Sequence, residues 1–258
     1  MKEKIEEFWI YGVNPVREAL RSSVPVNKVL LAQERSKALM ELLELASRRG
    51  VKVEFKTKEE LSRLLSGLPH QGISALIGDF PYWDPLDLLE KEGEPLLLIL
   101  DQIQDPRNLG ALLRTAEALG FWGVIVPKRR SAKVSGAVAK ASAGALFHIP
   151  IARVSNLSQT IRLLKEKGIK VIGAEAKAQK TIFEADLRGS LALVIGGEEE
   201  GIKPLVQKNC DFLVSIPLKG KINSLNASVA GAILMYEVIR QRNFYFLEKE
   251  GKNDILNS

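Results

Sequence analysis

The sequence predicts an α/β protein in which a larger, mostly parallel sheet domain follows a smaller α/β domain. Short Leu/Ile/Val runs alternate along the chain with stretches whose apolar residues recur at helical spacing. Several runs, such as Leu191-Ala192-Leu193-Val194-Ile195, are apolar without alternation, as strands covered on both faces are. An acidic, proline-bearing stretch interrupts this order once, so residues 1–77 and 96–258 are read as two domains and 78–95 as a linker.

The first segment opens with Phe8-Trp9-Ile10-Tyr11, an apolar run ended by Gly12. Asn14-Pro15 reads as a helix cap followed by proline at the first helical position, and Val16, Ala19 and Leu20 share one face of that helix. Val29-Leu30-Leu31 is a buried strand. Ser36 caps a helix whose Leu39, Leu42, Leu43 and Ala46 follow the 3.6-residue period, closing at Arg48-Arg49-Gly50. Residues 51–55 alternate as a half-buried strand, 58–66 form a helix, and 72–77 a last strand. Strands alternating with helices predict a small α/β sandwich.

Pro81, Pro85 and Pro95 punctuate the acidic stretch. Beyond it, strands are predicted at 96–100, 123–126, 146–149, 169–173, 191–195 and 212–216, and helices at 108–119, 131–143, 156–167, 203–209 and 224–242. The tail after Phe246 is polar and predicted to fray.

The 258 residues are 46% hydrophobic and 26% charged, which excludes disordered and collagen-like classes. One cysteine, Cys210, excludes a disulfide framework, and two distant histidines, His70 and His148, make no metal site; both histidine and cysteine readings leave His148 and Cys210 as core residues. Met1 to Glu7 is charged, which predicts no secretory signal, and the aliphatic run 96–100 is far short of the roughly 20 residues of a membrane span. The expectation is a soluble, cytoplasmic protein. The net charge of +6 divides into +3 over 1–77, −5 over 78–95 and +8 over 96–258. Two basic bodies flanking an acidic connection are compatible with a shared anionic partner.

No G-x-G-x-x-G follows a strand, and no P-loop sequence occurs, so dinucleotide and nucleoside-triphosphate enzymes are disfavoured. Gly196-Gly197 does follow a strand, but Glu198-Glu199-Glu200 comes next, and those carboxylates would repel a pyrophosphate. Ligands bind at strand ends on one edge of such a sheet. Three strand ends here carry unusual polar segments: Asp101-Gln102-Ile103-Gln104-Asp105-Pro106-Arg107-Asn108-Leu109-Gly110, then Gly196 to Ile202, then Ile216 to Ser228 with Asn223-Ser224-Leu225-Asn226-Ala227-Ser228.

These segments, in their order and position, resemble the three signature motifs of the SpoU (TrmH-type) RNA ribose 2′-O-methyltransferases of the SPOUT superfamily. The first segment of the chain is similar to the ribosomal-protein L30e-like substrate-binding domain of that family, through Tyr11-Gly12, Pro15-Val16, Ala19-Leu20 and His70-Gln71-Gly72-Ile73. The two-domain layout resembles the bacterial subgroup that methylates a guanosine ribose in 23S ribosomal RNA. The resemblance implies a trefoil knot in the second domain, S-adenosylmethionine as cofactor, RNA as partner, no metal, and a homodimer. It implies cofactor contacts from Gly196, Gly197, Ile216 and Leu225, and polar functional roles for Asn108, Arg114, Glu198, Ser224 and Asn226.

Each residue also has a plainer reading. Arg114 offers five fixed donors suited to a phosphate near the target ribose, and a guanidinium gives up its proton too reluctantly to favour a role as base. Glu198 serves as support for the cofactor turn or Arg114, or in proton transfer. Asn226 and Ser224 stand at a helix start, where one of them caps, and Asn108 is likewise a candidate cap. Lys128-Arg129-Arg130 with Lys133 is expected to contact the RNA backbone. Trp9, Trp83 and Trp122 are expected in core or interface. Two other substrates or roles stay open: a transfer-RNA ribose, and a non-catalytic ribosome-assembly role.

Overall fold

The computed structural model describes residues 7–33, 36–198 and 200–256, with side chains described as far as Arg242. Two compact units are present. The first holds the N-terminal sheet together with residues 105–117 and 132–151; the second holds residues 83–104, 118–131 and those from 152 onward.

In the first unit, strands β1 (Phe8–Tyr11), β2 (Val26–Ala32), β3 (Lys52–Lys56) and β4 (Ile73–Ile77) form one sheet in the order β1-β4-β2-β3. Strand β4 is antiparallel to both neighbours, whereas β2 and β3 are parallel because helix α2 (Lys37–Arg48) crosses between them. The Ser36 side chain accepts from Leu39 N, capping α2 as its sequence predicts. Thr57 and Glu60 close a reciprocal capping box on α3 (Lys58–Leu64). Helix α1 (Val13–Arg21) corrects the expected cap: it begins at Val13 with Gly12 at the cap, and Asn14 instead accepts from Arg17. Gly12 takes φ 94 there, a conformation that favours glycine. Pro15 still lies in the first turn, where its missing N–H leaves no bond unmade.

In the second unit, strands β5 (Leu96–Asp101), β6 (Gly123–Pro127), β7 (Ile151–Val154), β8 (Lys170–Ala174), β9 (Leu191–Gly196) and β10 (Phe212–Val214) form a six-stranded sheet in the order β10-β8-β9-β5-β6-β7. Every pairing along β10-β8-β9-β5-β6 is parallel. All six residues of β5 are buried, as are Leu191 to Ile195 of β9, which is why these strands read as unbroken apolar runs. Helix α6 (Leu157–Glu166), capped by Asn156, and α7 (Pro204–Asn209) pack together on the sheet through Ile161, Leu164 and Val206. The acidic stretch is structured: Leu88 is buried in this core, and Trp83 bridges Ala152.

Some boundaries move. The strand expected at 146–149 lies at 151–154, because Gly144 in the left-handed region starts a tight turn over Ala145–Phe147 and Pro150 follows. Helices α4 (Pro106–Ala118) and α5 (Gly136–Ala141) occupy the next predicted helical segments, α5 much shorter than expected. Helix α8 (Ala227–Leu256) runs on past Phe246, where the sequence predicts fraying. His148 is exposed and paired with Glu18 at 2.8 Å rather than buried in the core. Cys210 is half-buried against the core, and burial pushes its thiol up to about 12. Among the described residues, no helix is long and apolar enough to cross a membrane.

Candidate active site

Parallel strands bring their C-terminal ends to one edge of a sheet, and β10, β8 and β9 are adjacent. The segments leaving them enclose a pocket of about 290 Å³. Its polar wall comes from Glu175 after β8 and from Gly196, Gly197, Glu198 and Glu200 after β9; Ile216, Leu218, Leu225 and Leu234 form the apolar wall, with Asn223 and Ser224 at the approach to α8.

The turn after β9 is built by glycine. A Cβ on Gly196 would lie 2.1 Å from the Gly201 carbonyl carbon and 2.3 Å from Ile202 N, so the backbone of the returning chain occupies the space. Gly197 bridges Gly201, whose N–H donates to the Gly197 carbonyl at 3.0 Å. Asp101, at the end of β5, accepts from Lys203 N at 2.8 Å and thereby holds the far end of the turn. Burial raises the pKa of this carboxyl, and the Lys203 N–H only partly offsets it. Gln102 follows in the left-handed region at φ 63, and its side-chain amide donates to Glu200 at 3.0 Å.

Amide groups hold the other carboxylates too. Gln207 donates to Glu175 at 2.9 Å, and the Asn226 side chain donates to Glu198. Asn226 Oδ1 also accepts from Ser228 N at 3.0 Å and Ser228 Oγ at 2.6 Å, so Asn226 is the residue that caps α8. Ser224 is an exposed lining residue. The helix expected from 224 therefore starts at Ala227. One side chain thus ties the helix start to the turn after β9.

The structure gathers Gly196, Gly197, Glu198, Ile216, Ser224 and Leu225 around this pocket, with Asn226 bonded to Glu198. Asn108 and Arg114 lie in the first unit, on α4. Asn108 is not a cap: α4 begins two residues earlier, and Asp105 accepts from Arg107 N at 2.8 Å in the capping position. Gly110 of the same motif permits close packing, since a Cβ would sit 2.4 Å from Ala141 Cβ on α5. Arg114 is exposed between the buried faces marked by Leu113 and Ala116. Lys128, Arg129 and Arg130 are exposed after β6, on a turn fixed by Lys128 N donating to Val154 O at 2.7 Å. Lys133 is exposed in the first unit. Glu199 lies outside the described residues.

Sequence reasoning missed Glu175, Gln102 and Gln207. Glu175 was within reach of the strand-end rule, because it directly follows β8. The two glutamines carry no local signal; their partners are 98 and 32 residues away.

The SpoU rRNA Methylase family model matches residues 95–236, and the model for RNA 2′-O ribose methyltransferase substrate binding matches residues 9–83. The Bacillus subtilis protein YacO, assigned by name to the TrmH family of tRNA/rRNA methyltransferases, is 42% identical over 240 residues, covering 91% of this chain and 96% of its own. A Staphylococcus aureus protein with the same family assignment is 44% identical over 244 residues, covering 93% and 98%. Among solved structures, the SpoU methyltransferase AviRb of Streptomyces viridochromogenes, in complex with the cofactor AdoMet, superposes with a TM-score of 0.79 at 29% identity, covering 91% of this chain and 90% of its own.

Proposed function

Because the chain belongs to the SpoU rRNA methylase family, we propose that it is an S-adenosylmethionine-dependent RNA methyltransferase that methylates a ribose 2′-hydroxyl, with a guanosine of 23S ribosomal RNA as the first substrate to test. The observation that carries this reading is the pocket at the ends of β8, β9 and β10, lined by Gly196, Gly197 and Gly201, which have no side chains to cover their backbone groups.

S-adenosylmethionine, when bound, supplies an electrophilic methyl carbon. Gly196, Gly197, Ile216 and Leu225 are the residues proposed to hold it, through backbone groups and apolar contact. The 2′-hydroxyl is a weak nucleophile until its proton leaves, and reacting atoms must approach to about 3 Å in line, so positioning supplies much of the rate. The Arg114 guanidinium is assigned to holding a phosphate beside the target ribose, with a phosphate or water taking the proton. Asn226 and Glu198 keep the helix start and the glycine turn in register; Asn108 and Ser224 complete the proposed polar set. Lys128, Arg129, Arg130 and Lys133 are assigned to the RNA backbone, which exposure on surface loops permits. The first domain (1–77), joined through 78–95 to the methyltransferase domain (96–258), is assigned to gripping RNA. A knotted threading of the C-terminal segment, a homodimer and a cytoplasmic location belong to the same proposal. Val229, Ile233 and Tyr236 support the dimer as an exposed apolar stripe at helical spacing on α8. Sedimentation as a stable monomer at micromolar concentration would refute it.

The deciding experiment is methyl transfer from labelled S-adenosylmethionine to unmodified ribosomal and transfer RNA, followed by digestion to nucleosides. Label on ribosomal-RNA ribose is the expected result. Label on transfer RNA alone overturns the substrate, and label on a base overturns the chemistry.

A further inference from the structure

The pocket has a charge pattern that cofactor shape alone does not require. Among the described residues, three glutamates line it, Glu175, Glu198 and Glu200, and no Lys, Arg or His does. All three accept from neutral carboxamides, Glu175 from Gln207 at 2.9 Å, Glu200 from Gln102 at 3.0 Å and Glu198 from Asn226. Glu175 also accepts from Lys177 N at 3.3 Å. An amide donor fixes a carboxylate without cancelling its charge, whereas an ion pair would cancel it. Among the described residues, neither Glu175 nor Glu200 takes part in an ion pair. The buried carboxyl of Asp101 feels both the Lys203 and the Glu200 charge. Among the described residues, the charged side chains lining the pocket are therefore all carboxylates, each hydrogen-bonded to an amide.

We propose that Glu175 and Glu200 make this pocket select the cationic methyl donor over its neutral product. The inference rests on the reading that S-adenosylmethionine occupies this pocket. The donor carries a sulfonium, an ammonium and a carboxylate, a net charge of +1. On transfer the sulfur–methyl bond breaks, its electron pair stays on sulfur, the new oxygen–methyl bond forms, and the hydroxyl proton leaves to the phosphate or water that accepts it. The product, S-adenosylhomocysteine, is a thioether of net charge zero and one methyl smaller. A pocket that fits the donor cannot sterically reject a smaller ligand, so charge is the available discriminator. Fixed carboxylates favour the donor and leave the product without that attraction, which limits product inhibition. The two glutamates stand after different strands, β8 and β9, and both face one lining. Gln102 and Gln207 are positioning residues for them.

The test is calorimetric titration of the full chain with S-adenosylmethionine, S-adenosylhomocysteine and sinefungin, in which a protonated amine replaces the methylsulfonium. Wild type is compared with Glu175→Gln, Glu200→Gln and the double variant, each nearly isosteric, and a melting curve checks the fold. Each substitution is expected to weaken both cationic ligands by about two- to fivefold, as for partly exposed charge pairs, and to leave the neutral product within about twofold. Equal weakening of all three ligands, or no change in any, overturns the proposal. A measurement without variants gives a second decision: wild-type affinity for the two cations should fall with added salt more steeply than affinity for the product, and parallel salt dependences count against the idea. The pocket assignment is tested separately by Ala176→Trp, which adds bulk at an exposed lining residue. Loss of all three ligands supports the assignment, and unchanged binding of all three refutes the pocket reading itself.

Discussion

Gly196→Ala is the smallest change that tests whether the turn after β9 is built as described. The new methyl carbon would stand 2.1 Å from Gly201 C, 2.3 Å from Ile202 N and 2.4 Å from Gly201 O. All three are backbone atoms, so no side chain can rotate away, and the returning chain must move by about 1.5 Å to reach ordinary contact. That motion pulls on Ile202, which is 1% exposed in the core, and on the Asp101–Lys203 bond that closes the turn. Overpacking of a filled interior costs about 1–3 kcal/mol, and backbone contact puts this case at the upper end, about 3 kcal/mol. For a chain of this length that is a fall in Tm of roughly 6–12 °C. Gly220→Ala is the control, because the nearest atoms to its Cβ are 3.9 Å away; it should change stability by no more than about 0.5 kcal/mol. Differential scanning calorimetry gives both values, and titration with S-adenosylmethionine should show lost affinity only for Gly196→Ala. A Gly196→Ala protein with unchanged Tm and unchanged cofactor affinity would refute the account of the turn.

Asn226→Asp keeps an acceptor for Ser228 N but places a carboxylate against Glu198, so it should retain most of the capping stability, about 1 kcal/mol, and lose methyl transfer. Asn226→Ala should lose both while RNA binding by gel shift survives; full turnover in either variant would remove Asn226 from the site. Replacing Lys128, Arg129 and Arg130 by Gln should weaken RNA binding across sequences and flatten the log–log salt dependence by about 0.7 to 0.9 for each phosphate no longer neutralised. An unchanged slope in filter binding would place the RNA elsewhere. Asp101 has a native pKa raised mainly by burial, so it favours the folded state fully only below its unfolded value of about 4 and loses that contribution as pH rises through the higher native value. Asp101→Asn should therefore gain Tm relative to wild type more at pH 7 than at pH 4; the opposite order in paired melts would mean the carboxylate is stabilised there.

Local rules carried much of this protein. The unbroken apolar runs of β5 and β9 are buried strands, Ser36 and the Thr57–Glu60 pair cap the helices that follow them, and each polar segment after Asp101, Gly196 and Val214 stands at a strand end. These are consequences of period, capping chemistry and backbone permissiveness, all of which act within a few residues. The sequence could limit the α8 cap to Ser224 or Asn226 but could not choose between them, because the choice depends on Glu198, 28 residues away. It placed a strand at 146–149 because the apolar content is right, while the left-handed Gly144 turn moves the strand to 151–154. It assigned His148 to the core, whereas the ring lies exposed and hydrogen-bonded to Glu18, 130 residues distant. The pocket itself is the largest gain from tertiary structure. β8, β9 and β10 follow one another along the chain, yet β10 pairs with β8 rather than with β9, and only that strand order puts Glu175, Glu200 and Ser224 around one space, with amide partners for the glutamates drawn from remote segments. Sequence determines what each strand end can offer; the order of strands in the sheet decides which ends meet, since hydrogen bonding between strands is a long-range choice that no local pattern encodes.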